Sequence, residues 1–420
     1  MNDVNVSMKK KILLIGYNFF PEPTGIGKYN GEMMGWLAKD GHACSVLTTY
    51  PYYPYWKVQQ PYTNSRFFYT AEKQTLDSGA SIQIYRVPMY VPENPSGIKR
   101  ITQDFTFTLT AFFKLLGLFT REKFDCVIVV APSFQFGLLG VLCKKVWGAK
   151  FVYHIQDMQI EAARDLQMIR SERIINGLFA IERFIFEQAD FITSISVGMV
   201  NKVREKASKK VLLFPNWTDT DEFCPSQQRS ALKQSFGFEP SDQVVLYSGA
   251  IGEKQGLEVI LKVATEFAEQ SHVKFLICGS GPYKQKLEEM ASRLESKNVI
   301  FFPLQPNDRF NDFLNLADVH LVIQKATASD LVMPSKLTTI LSVGGVALVT
   351  ANPGAGLYEL VRSHNMGIVV EAENQSALSL GLRQALSQDN AEIAANARAY
   401  AEQHLSVKSV MKAFISAVLS

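Results

Sequence analysis

Lys11-Ile12-Leu13-Leu14-Ile15-Gly16 is a short apolar run that ends in glycine, and a helix-like segment at Lys28–Lys39 follows it. Short apolar runs that alternate with helix-like segments are typical of buried parallel strands in β-α units. A first series of such runs continues through Cys44–Thr48, Cys126–Val130, Phe151–His154, Phe191–Ser194 and Val211–Phe214. A second series covers Val244–Ser248, Lys274–Cys278, Val299–Phe302, Val319–Ile323, Val346–Thr350 and Gly367–Val370. The sequence therefore predicts an α/β protein with two doubly wound, Rossmann-like domains.

The length of the chain agrees with two domains. Its 420 residues are 47% hydrophobic and 20% charged, which is enough for two cores of ordinary size. The expected organisation is an N-terminal domain at 9–215, a proline-rich connection at 216–242, a C-terminal domain at 243–390 and helices at 391–420 that could pack back on the N-terminal domain. A ligand is expected in the cleft between the halves, outside the carboxyl ends of the strands.

Charge and cysteine content exclude several protein classes. Lys and Arg (43) nearly balance Asp and Glu (40), which argues against broad nucleic-acid binding. The five cysteines form no C-x-x-C pair, which argues against a disulfide framework and a structural zinc site and favours a reducing cytoplasm. The N-terminus does not have the pattern of a signal peptide, and no segment reaches a clean apolar span of about 18 residues.

The loop Asn18–Gly27 follows the first apolar run. Gly25 and Gly27 stand between a strand and a helix, where backbone N–H groups can approach an anion. The dinucleotide fingerprint needs a further glycine three residues after Gly27, and Asn30 stands there, so nicotinamide binding is disfavoured. A tight turn without a ligand is the alternative interpretation.

An aromatic loop, Tyr50-Pro51-Tyr52-Tyr53-Pro54-Tyr55-Trp56, follows the second run. Tyr52, Tyr53, Tyr55 and Trp56 could form a rigid platform that stacks on a sugar ring. The alternative is a loop that packs on its own domain.

The stretch Lys99–Lys123 carries apolar residues near one helical face and basic residues around it. This pattern fits a helix at a membrane surface, and it also fits a helix that faces the core. The apolar residues are Phe105, Leu109, Phe112, Phe113 and Leu116.

Polar residues follow the apolar run Phe151–His154. His154 and Asp157 could orient a substrate hydroxyl or face a developing positive charge, although a histidine at a strand end is often structural. Asp219 and Asp221 have the spacing of a metal-binding carboxylate pair but lie in the predicted connection. No metal site is predicted.

The second half contains glycine-rich turns after several strands. They are Gly249–Gly256 with Lys254, Gly279-Ser280-Gly281-Pro282, and Pro353-Gly354-Ala355-Gly356, and Pro334-Ser335-Lys336 precedes a helix-like stretch. A phosphate-containing ligand explains this set better than four unrelated turns.

These motifs resemble those of retaining glycosyltransferases of family 4, which have the GT-B fold. The segment Pro215–Pro225 is similar to the family's P-N-G-V-D-x-x-x-F-x-P connection, which also accounts for its two aspartates without a metal. Gly279–Pro282 resembles the G-x-G-P turn, and Ala317-Asp318-Val319 resembles the A-D-V strand start. The resemblance covers nearly the whole chain. Within the family, Asn18–Gly27, the aromatic loop and Pro334–Lys336 resemble the branch that builds exopolysaccharides such as colanic acid.

The chain departs from the family at the donor site. Family members commonly hold the donor diphosphate with an Arg and a Lys where this chain has Ala250 and Gln255. Family members also commonly have two glutamates eight positions apart, and this chain has Leu331 and Thr339 at the aligned positions. The family's adjacent His-Asp pair becomes Gln156-Asp157. The contacts that this chain makes with the donor are therefore expected to differ from those of other family members.

The resemblance implies transfer of a sugar from a nucleotide diphosphate sugar with retention at the anomeric carbon. In such enzymes the departing phosphate is thought to take the acceptor proton, without an essential metal or cofactor. GDP-fucose is the first expectation for the donor and a UDP-sugar the second. The acceptor would be a polyprenyl-diphosphate-linked oligosaccharide, with the protein in the cytoplasm or peripheral on the inner membrane.

The residue roles implied in this way fall into three groups. His154 and Asp157 are the expected catalytic residues, and the aromatic loop is expected to bind the acceptor. The expected donor-binding residues are Gly25, Gly27, Gly249, Gly252, Lys254, Gly279, Lys336 and Thr339. Two alternatives stay open, a catalytically silent GT-B protein that binds a nucleotide sugar or serves as a scaffold, and a nucleotide-sugar epimerase.

Overall fold

A computed structural model describes residues 9–23, 25–161, 171–294, 297–325 and 334–419. The chain divides into two compact units. Unit 1 contains the described residues of 1–195, 200–214 and 411–420, and unit 2 contains those of 196–199 and 215–410. The segment 216–242, predicted as a connection, belongs to unit 2 and includes a helix.

Unit 1 is built on an eight-stranded sheet with the order β3-β4-β2-β1-β5-β6-β7-β8. The strands are β1 (Lys11–Ile15), β2 (Ala43–Thr48), β3 (Thr70–Thr75), β4 (Ser81–Arg86), β5 (Cys126–Ala131), β6 (Lys150–Ile155), β7 (Phe191–Ser194) and β8 (Val211–Leu213). The helices up to residue 214 are α1 (Gly25–Lys39), α2 (Gly97–Phe119), α3 (Phe136–Trp147), α4 (Glu172–Gln188) and α5 (Val197–Arg204). A 3₁₀ turn lies at Tyr62–Asn64.

Every apolar run of the first series is a parallel strand of this sheet, as predicted. The edge strand β3 pairs antiparallel with β4, and neither belongs to the predicted series. In β3 exposed residues alternate with half-buried ones, so this strand has no apolar run to mark it. The hairpin was missed for this reason.

Unit 2 is built on a six-stranded parallel sheet with the order β11-β10-β9-β12-β13-β14. The strands are β9 (Gln243–Ser248), β10 (Val273–Cys278), β11 (Val299–Phe302), β12 (Val319–Val322), β13 (Ala347–Thr350) and β14 (Ile368–Val370). The helices from residue 215 onward are α6 (Arg229–Ser235), α7 (Glu258–Thr265), α8 (Lys284–Arg293), α9 (Asn307–Asn315), α10 (Ser335–Ser342), α11 (Gly356–Ser363), α12 (Gln375–Ser387), α13 (Ala391–Tyr400) and α14 (Val407–Phe414). Glu253–Gln255 is a 3₁₀ turn, and Ala401–Leu405 and Ile415–Leu419 are π-helical.

Both sheets have a point at which the strand order reverses. It lies between β1 and β5 in unit 1 and between β9 and β12 in unit 2. Doubly wound sheets bind ligands outside the carboxyl ends of the strands at this point. The loops after these strands are therefore the places to look for sites.

The last residues of the chain pack within unit 1. The Phe414 ring stacks on Phe214 with centroids 4.4 Å apart, and Lys150 Nζ donates a hydrogen bond to the Val418 carbonyl at 3.2 Å. Among the described helices, none is both long and apolar enough to span a membrane.

Candidate functional site

The loops after β9 and β10 approach each other so closely that they require glycine. A Cβ on Gly279 would lie 1.9 Å from the Gly249 carbonyl oxygen, and one on Gly281 would lie 2.2 Å from the Ile251 carbonyl oxygen. Gly249 and Gly281 both have a φ of 152°, a backbone conformation that residues other than glycine rarely adopt. Main chain therefore lines this edge of unit 2, and main chain is what a phosphate can approach closely.

Lys336, near the start of α10, points its amine at this main chain. A Cβ on Gly249 would lie 2.9 Å from Lys336 Nζ, and the Nζ atom lies 3.6 Å from the centre of the Tyr247 ring. The Nζ atom is buried and has no hydrogen-bond partner among the described residues. Burial lowers the pKa of Lys336 to about 7. A buried amine that lacks a carboxylate is typical of a site that is completed by an anionic ligand.

Besides Asn298 Oδ1, which lies just before β11, two amide oxygens of unit 2 are buried and unpaired within the described part of the chain. They are Gln255 Oε1, in the loop after β9, and Gln324 Oε1, in the loop after β12. The main-chain N–H of Gln324 donates to Thr350 Oγ1 at 2.8 Å, which holds this loop on β13. Free amide oxygens accept hydrogen bonds from hydroxyl groups, which sugars and ribose supply.

The other predicted donor residues vary in what the structure says of them. Gly252 precedes the 3₁₀ turn, and a Cβ there would lie 2.8 Å from Gln255 Oε1. Thr339 Oγ1 donates to the Lys336 carbonyl at 3.0 Å, within its own helix. The side chain of Lys254 and all of Leu331 lie outside the described residues.

In unit 1, the buried side chain of Glu22 joins the first loop to the aromatic loop. Its Oε1 accepts the Tyr52 and Tyr53 amides at 3.1 and 2.9 Å, and its Oε2 accepts Asn18 Nδ2 at 2.8 Å. Burial is the main cause that raises the pKa of Glu22 to about 7. Sequence reasoning missed this residue, although a lone acidic residue among turn-forming neighbours was a usable signal.

Gly25 and Gly27 pack on this same junction. A Cβ on Gly27 would lie 2.4 Å from Glu22 Oε2, and one on Gly25 would lie 3.4 Å from the Tyr53 ring. Gly25 also has a φ of 63°. Packing and a tight turn are therefore sufficient physical reasons for glycine at both positions, and contact of this loop with a donor phosphate stays a prediction.

A second buried carboxyl, Asp104 of α2, lies near the carboxyl ends of β1 and β5. It bonds with Ser133, Tyr17 and Gln159, and burial raises its pKa to about 6. Its neighbour Gln103 is buried near Tyr52, and the Tyr17 ring lies edge-on to the Tyr52 ring at 6.1 Å, which connects this network to the aromatic loop. Gln103 and Asp104 were also missed. Asp104 lies on the same helical face as buried Phe107 and Ala111. An acidic residue among the apolar positions of a helix was the feature of the sequence that could have indicated it.

The aromatic loop is only partly available to a ligand. Tyr52 is 2% exposed and Tyr55 is 70% exposed. The Trp56 ring lies edge-on to Tyr52 and Tyr53 at 5.7 and 6.2 Å, and the Arg100 guanidinium lies 5.4 Å from it. Exposed Tyr55 and half-buried Tyr53 and Trp56 are therefore the members that could stack on a sugar, whereas Tyr52 belongs to the buried network.

His154 and Asp157 differ in their surroundings. His154 lies inside β6 and is 2% exposed, with Nδ1 2.8 Å from Thr193 Oγ1 and the ring edge-on to Phe214 at 5.1 Å. Burial lowers its pKa to about 3, so the ring is neutral. This geometry is that of a core residue and not of a proton-transfer group. Asp157 is exposed beyond the end of β6, and its Oδ1 accepts the Met158 amide at 2.8 Å.

Asp219 stabilises a turn. Its Oδ1 accepts the Asp221 and Glu222 amides at 2.9 and 3.2 Å. In the described part of the chain, no group of three or more His, Cys, Asp or Glu side chains is arranged to hold a metal ion.

Comparison with known proteins agrees with the fold and motifs. Residues 24–217 match the glycosyl transferase 4-like domain, and residues 228–404 match glycosyl transferases group 1. The putative colanic acid biosynthesis glycosyl transferase WcaI of Escherichia coli (strain K12) is 38% identical over 414 residues, which cover 97% of this chain and 99% of that protein.

Solved structures share the architecture at low sequence identity. Sucrose-phosphate synthase from Thermosynechococcus elongatus aligns with a TM-score of 0.73 and 14% identity, over 97% of this chain and 98% of that one. Anabaena HepE in complex with UDP aligns with a TM-score of 0.68 and 13% identity, over 97% and 99% of the two chains. The chain therefore belongs to the group 1 glycosyltransferases with a family 4-like domain, and it has the GT-B fold.

Proposed function

We propose that this protein transfers a sugar, with retention of anomeric configuration, from a nucleotide diphosphate sugar to a lipid-linked oligosaccharide in exopolysaccharide synthesis. The observation that carries the proposal is the buried Lys336 amine, which has no partner among the described residues and lies beside the glycine main chain of unit 2. The similarity to WcaI, named for colanic acid biosynthesis, supports the pathway class.

The diphosphate of the donor would bind at Lys336 and the main chain around Gly249. The charged amine neutralises the leaving phosphate, and a phosphate in turn supplies a partner that the described residues do not give the amine. The buried oxygens of Gln255 and Gln324 would accept hydrogen bonds from donor hydroxyl groups. Gln255 thus binds a different part of the donor from the lysine that family members carry at its position.

The reaction exchanges one bond at the anomeric carbon for another. The bond from that carbon to the phosphate oxygen breaks while an acceptor hydroxyl attacks from the same face. The acceptor proton passes to the departing phosphate oxygen, so no protein base is required. Lys336 stabilises the charge that develops on that phosphate. Asp157, which is exposed beyond β6, is the residue of unit 1 that we assign to orienting the acceptor hydroxyl.

The acceptor would bind to unit 1 through Tyr55 and Trp56. Both lie in a loop held by the buried carboxylate of Glu22, so the rings are presented on a fixed main chain. Aromatic rings stack on the apolar faces of sugars. A GDP-sugar, with GDP-fucose first, is the proposed donor, and a UDP-sugar is the second candidate.

Calorimetry and thermal shift with GDP, UDP, dTDP and their sugars test the proposal, with and without magnesium. A ligand that binds only the folded protein raises its melting temperature by mass action. We expect one nucleotide to stabilise the protein, without a need for magnesium, and Lys336→Met to reduce this stabilisation at the same nucleotide concentration. Lys262→Met, at an exposed lysine of α7, is the matched control.

Transfer is then measured from the sugar of that nucleotide to a lipid extract containing polyprenyl-diphosphate oligosaccharides. Product with retained configuration is expected. If no nucleotide stabilises the protein, the donor site is wrongly assigned. Tight nucleotide binding without transfer would indicate a catalytically silent protein, and release of altered sugar without acceptor would indicate an epimerase.

A further inference from the structure

Helix α2 of unit 1 has two apolar faces, and only one of them is covered. The inner face buries Phe107, Ala111, Leu115 and Leu118. The outer face carries large apolar residues three or four positions apart along the whole helix, with exposed fractions from 43% at Leu109 to 80% at Ile98. These outer residues are Ile98, Ile101, Phe105, Leu109, Phe113 and Leu116.

The exposed apolar surface extends from α2 to its neighbours. Phe67, Phe68 and Tyr69 are exposed, and Tyr69 Oη donates to the Thr110 carbonyl of α2 at 3.3 Å. On the other side, α2 and α3 enclose an apolar groove of 310 Å³ whose wall includes exposed Leu138. We call α2, Phe67–Tyr69 and Leu138 the α2 surface.

Beyond β8, the described residues expose large apolar side chains singly and not in clusters. Among the described residues beyond 213, the exposed large apolar side chains are Leu294, Leu304 and Leu380. Contiguous exposed apolar surface marks an interaction site, whereas single exposed residues do not.

Most charged residues around the α2 surface are basic. Residues 97–123 include the basic residues Lys99, Arg100, Lys114, Arg121 and Lys123. The two acidic residues of this range are not free, since Asp104 is buried and Glu122 pairs with Lys11. A helix with an exposed apolar face that is flanked by basic residues matches the interface of an anionic membrane.

A pocket of 690 Å³ beside the C-terminal half of α2 contains two of these cations. Lys114 and Arg121 line it together with Tyr69, Tyr85 and other residues. Lys114 Nζ lies 4.8 Å from the centre of the Tyr85 ring. Neither cation forms an ion pair within the described ranges, and burial, then the Arg121 charge, lowers the pKa of Lys114. Glu122 also lines the pocket, but its carboxylate pairs with Lys11. Two neighbouring cations that have no ion-pair partner of their own among the described residues favour a bound anion.

We propose that the α2 surface docks on a bilayer, with its apolar side chains in the interface and a phospholipid phosphate between Lys114 and Arg121. The occupant is an anionic phospholipid membrane. The inference deepens the proposed function, because a lipid-linked acceptor is reached at such a surface, but its test does not depend on transfer activity.

Flotation of the full chain with vesicles tests the docking. We expect the protein to float with vesicles that contain phosphatidylglycerol and not with phosphatidylcholine vesicles. Phe105→Ser combined with Phe113→Ser should lower the partition coefficient by more than about tenfold, since each buried methylene contributes roughly fourfold. Leu294→Ser with Leu380→Ser is the matched control and should float like the unmodified protein.

A charge-removal pair tests the phosphate site. Lys114→Gln with Arg121→Gln should weaken binding by about 25-fold, since each basic residue at an anionic surface contributes roughly fivefold. Lys262→Gln with Arg293→Gln removes the same charge from unit 2 and should have no effect. Equal loss in both pairs would show that only net charge matters and would overturn the phosphate site.

Three further results would overturn the proposal. They are the absence of flotation with any vesicle, equal binding to both lipids, and a concentration-dependent dimer in sedimentation that the α2 variant abolishes, which would make a second copy the occupant. Nucleotide calorimetry on the same samples separates the two proposals. Nucleotide binding without flotation would refute the membrane surface alone, and flotation without nucleotide binding would refute the proposed function alone.

Discussion

The central prediction concerns removal of the Lys336 charge. Lys336→Met keeps the length and apolar packing of the side chain on Tyr247 and deletes the ammonium group. A charge-assisted hydrogen bond to phosphate contributes about 1–3 kcal/mol, so nucleotide affinity should fall by roughly 5- to 150-fold. Isothermal calorimetry with the nucleotide identified by thermal shift measures this loss directly.

The pKa of Lys336 adds a second signature. Because that pKa is about 7 in the empty site, nucleotide binding must protonate part of the lysine population. The ratio of wild-type to Lys336→Met affinity should therefore fall about tenfold from pH 6 to pH 8, and this ratio cancels titration of the ligand itself. Calorimetry in two buffers of different ionisation enthalpy should detect proton uptake by the wild-type protein near pH 7.

The free energy of unfolding of the ligand-free protein should change with pH in the opposite direction from the nucleotide affinity. Burial lowers the pKa of Lys336 to about 7 in the folded state, whereas the pKa in the unfolded state is higher. The buried charge therefore destabilises the folded protein most below pH 7. This destabilisation decreases as pH rises from 7 towards the unfolded pKa. Ligand-free Lys336→Met should therefore be at least as stable as wild type at pH 6. An unchanged nucleotide affinity, or an affinity ratio that does not vary with pH, would refute the assignment of Lys336 to the phosphate site.

Three other changes test the surrounding structure. Burial raises the folded pKa of Glu22 to about 7, so its contribution to stability is complete below its unfolded pKa and is lost as pH rises through 7. Glu22→Gln should therefore reduce the fall in unfolding free energy between pH 5 and 8, as measured by urea unfolding. Gly279→Ala would place a Cβ 1.9 Å from the Gly249 carbonyl oxygen and should lower both melting temperature and nucleotide affinity, whereas Gly177→Ala, in open space, should do neither. His154→Asn should cost about 1–2 kcal/mol of unfolding free energy and leave nucleotide affinity unchanged; an altered affinity would return His154 to the site.

The buried carboxyl groups of unit 1 show how site residues escape sequence reasoning. Glu22 and Asp104 each stand alone in the sequence, in a loop and in a helix. Their meaning comes from partners on other segments, such as the amides of Tyr52 and Tyr53 and the hydroxyl of Tyr17. A pairwise contact between distant segments leaves no periodic pattern, so composition and spacing cannot predict it.

Helix α2 illustrates a different limit. Its sequence predicts an apolar stripe near Phe105, Leu109 and Phe113, but a stripe is equally suited to a core and to a membrane surface. The structure buries the adjacent stripe through Phe107 and Ala111 and leaves this one exposed. Which of two apolar faces is covered depends on the elements that pack against the helix, α3 among them, and not on the helix itself.

The sequence alone determined the alternation of strands and helices, the two sheets, and the glycine turns at the strand ends. These features follow from local rules, since burial on both faces demands apolar runs and close main-chain approach demands glycine. Only the tertiary structure placed Lys336 against Gly249 and Tyr247, buried His154 beside Thr193, and left the outer face of α2 bare. Burial and pairing are properties of segments brought together by folding, and they decide which polar groups are satisfied internally and which are left to bind a ligand.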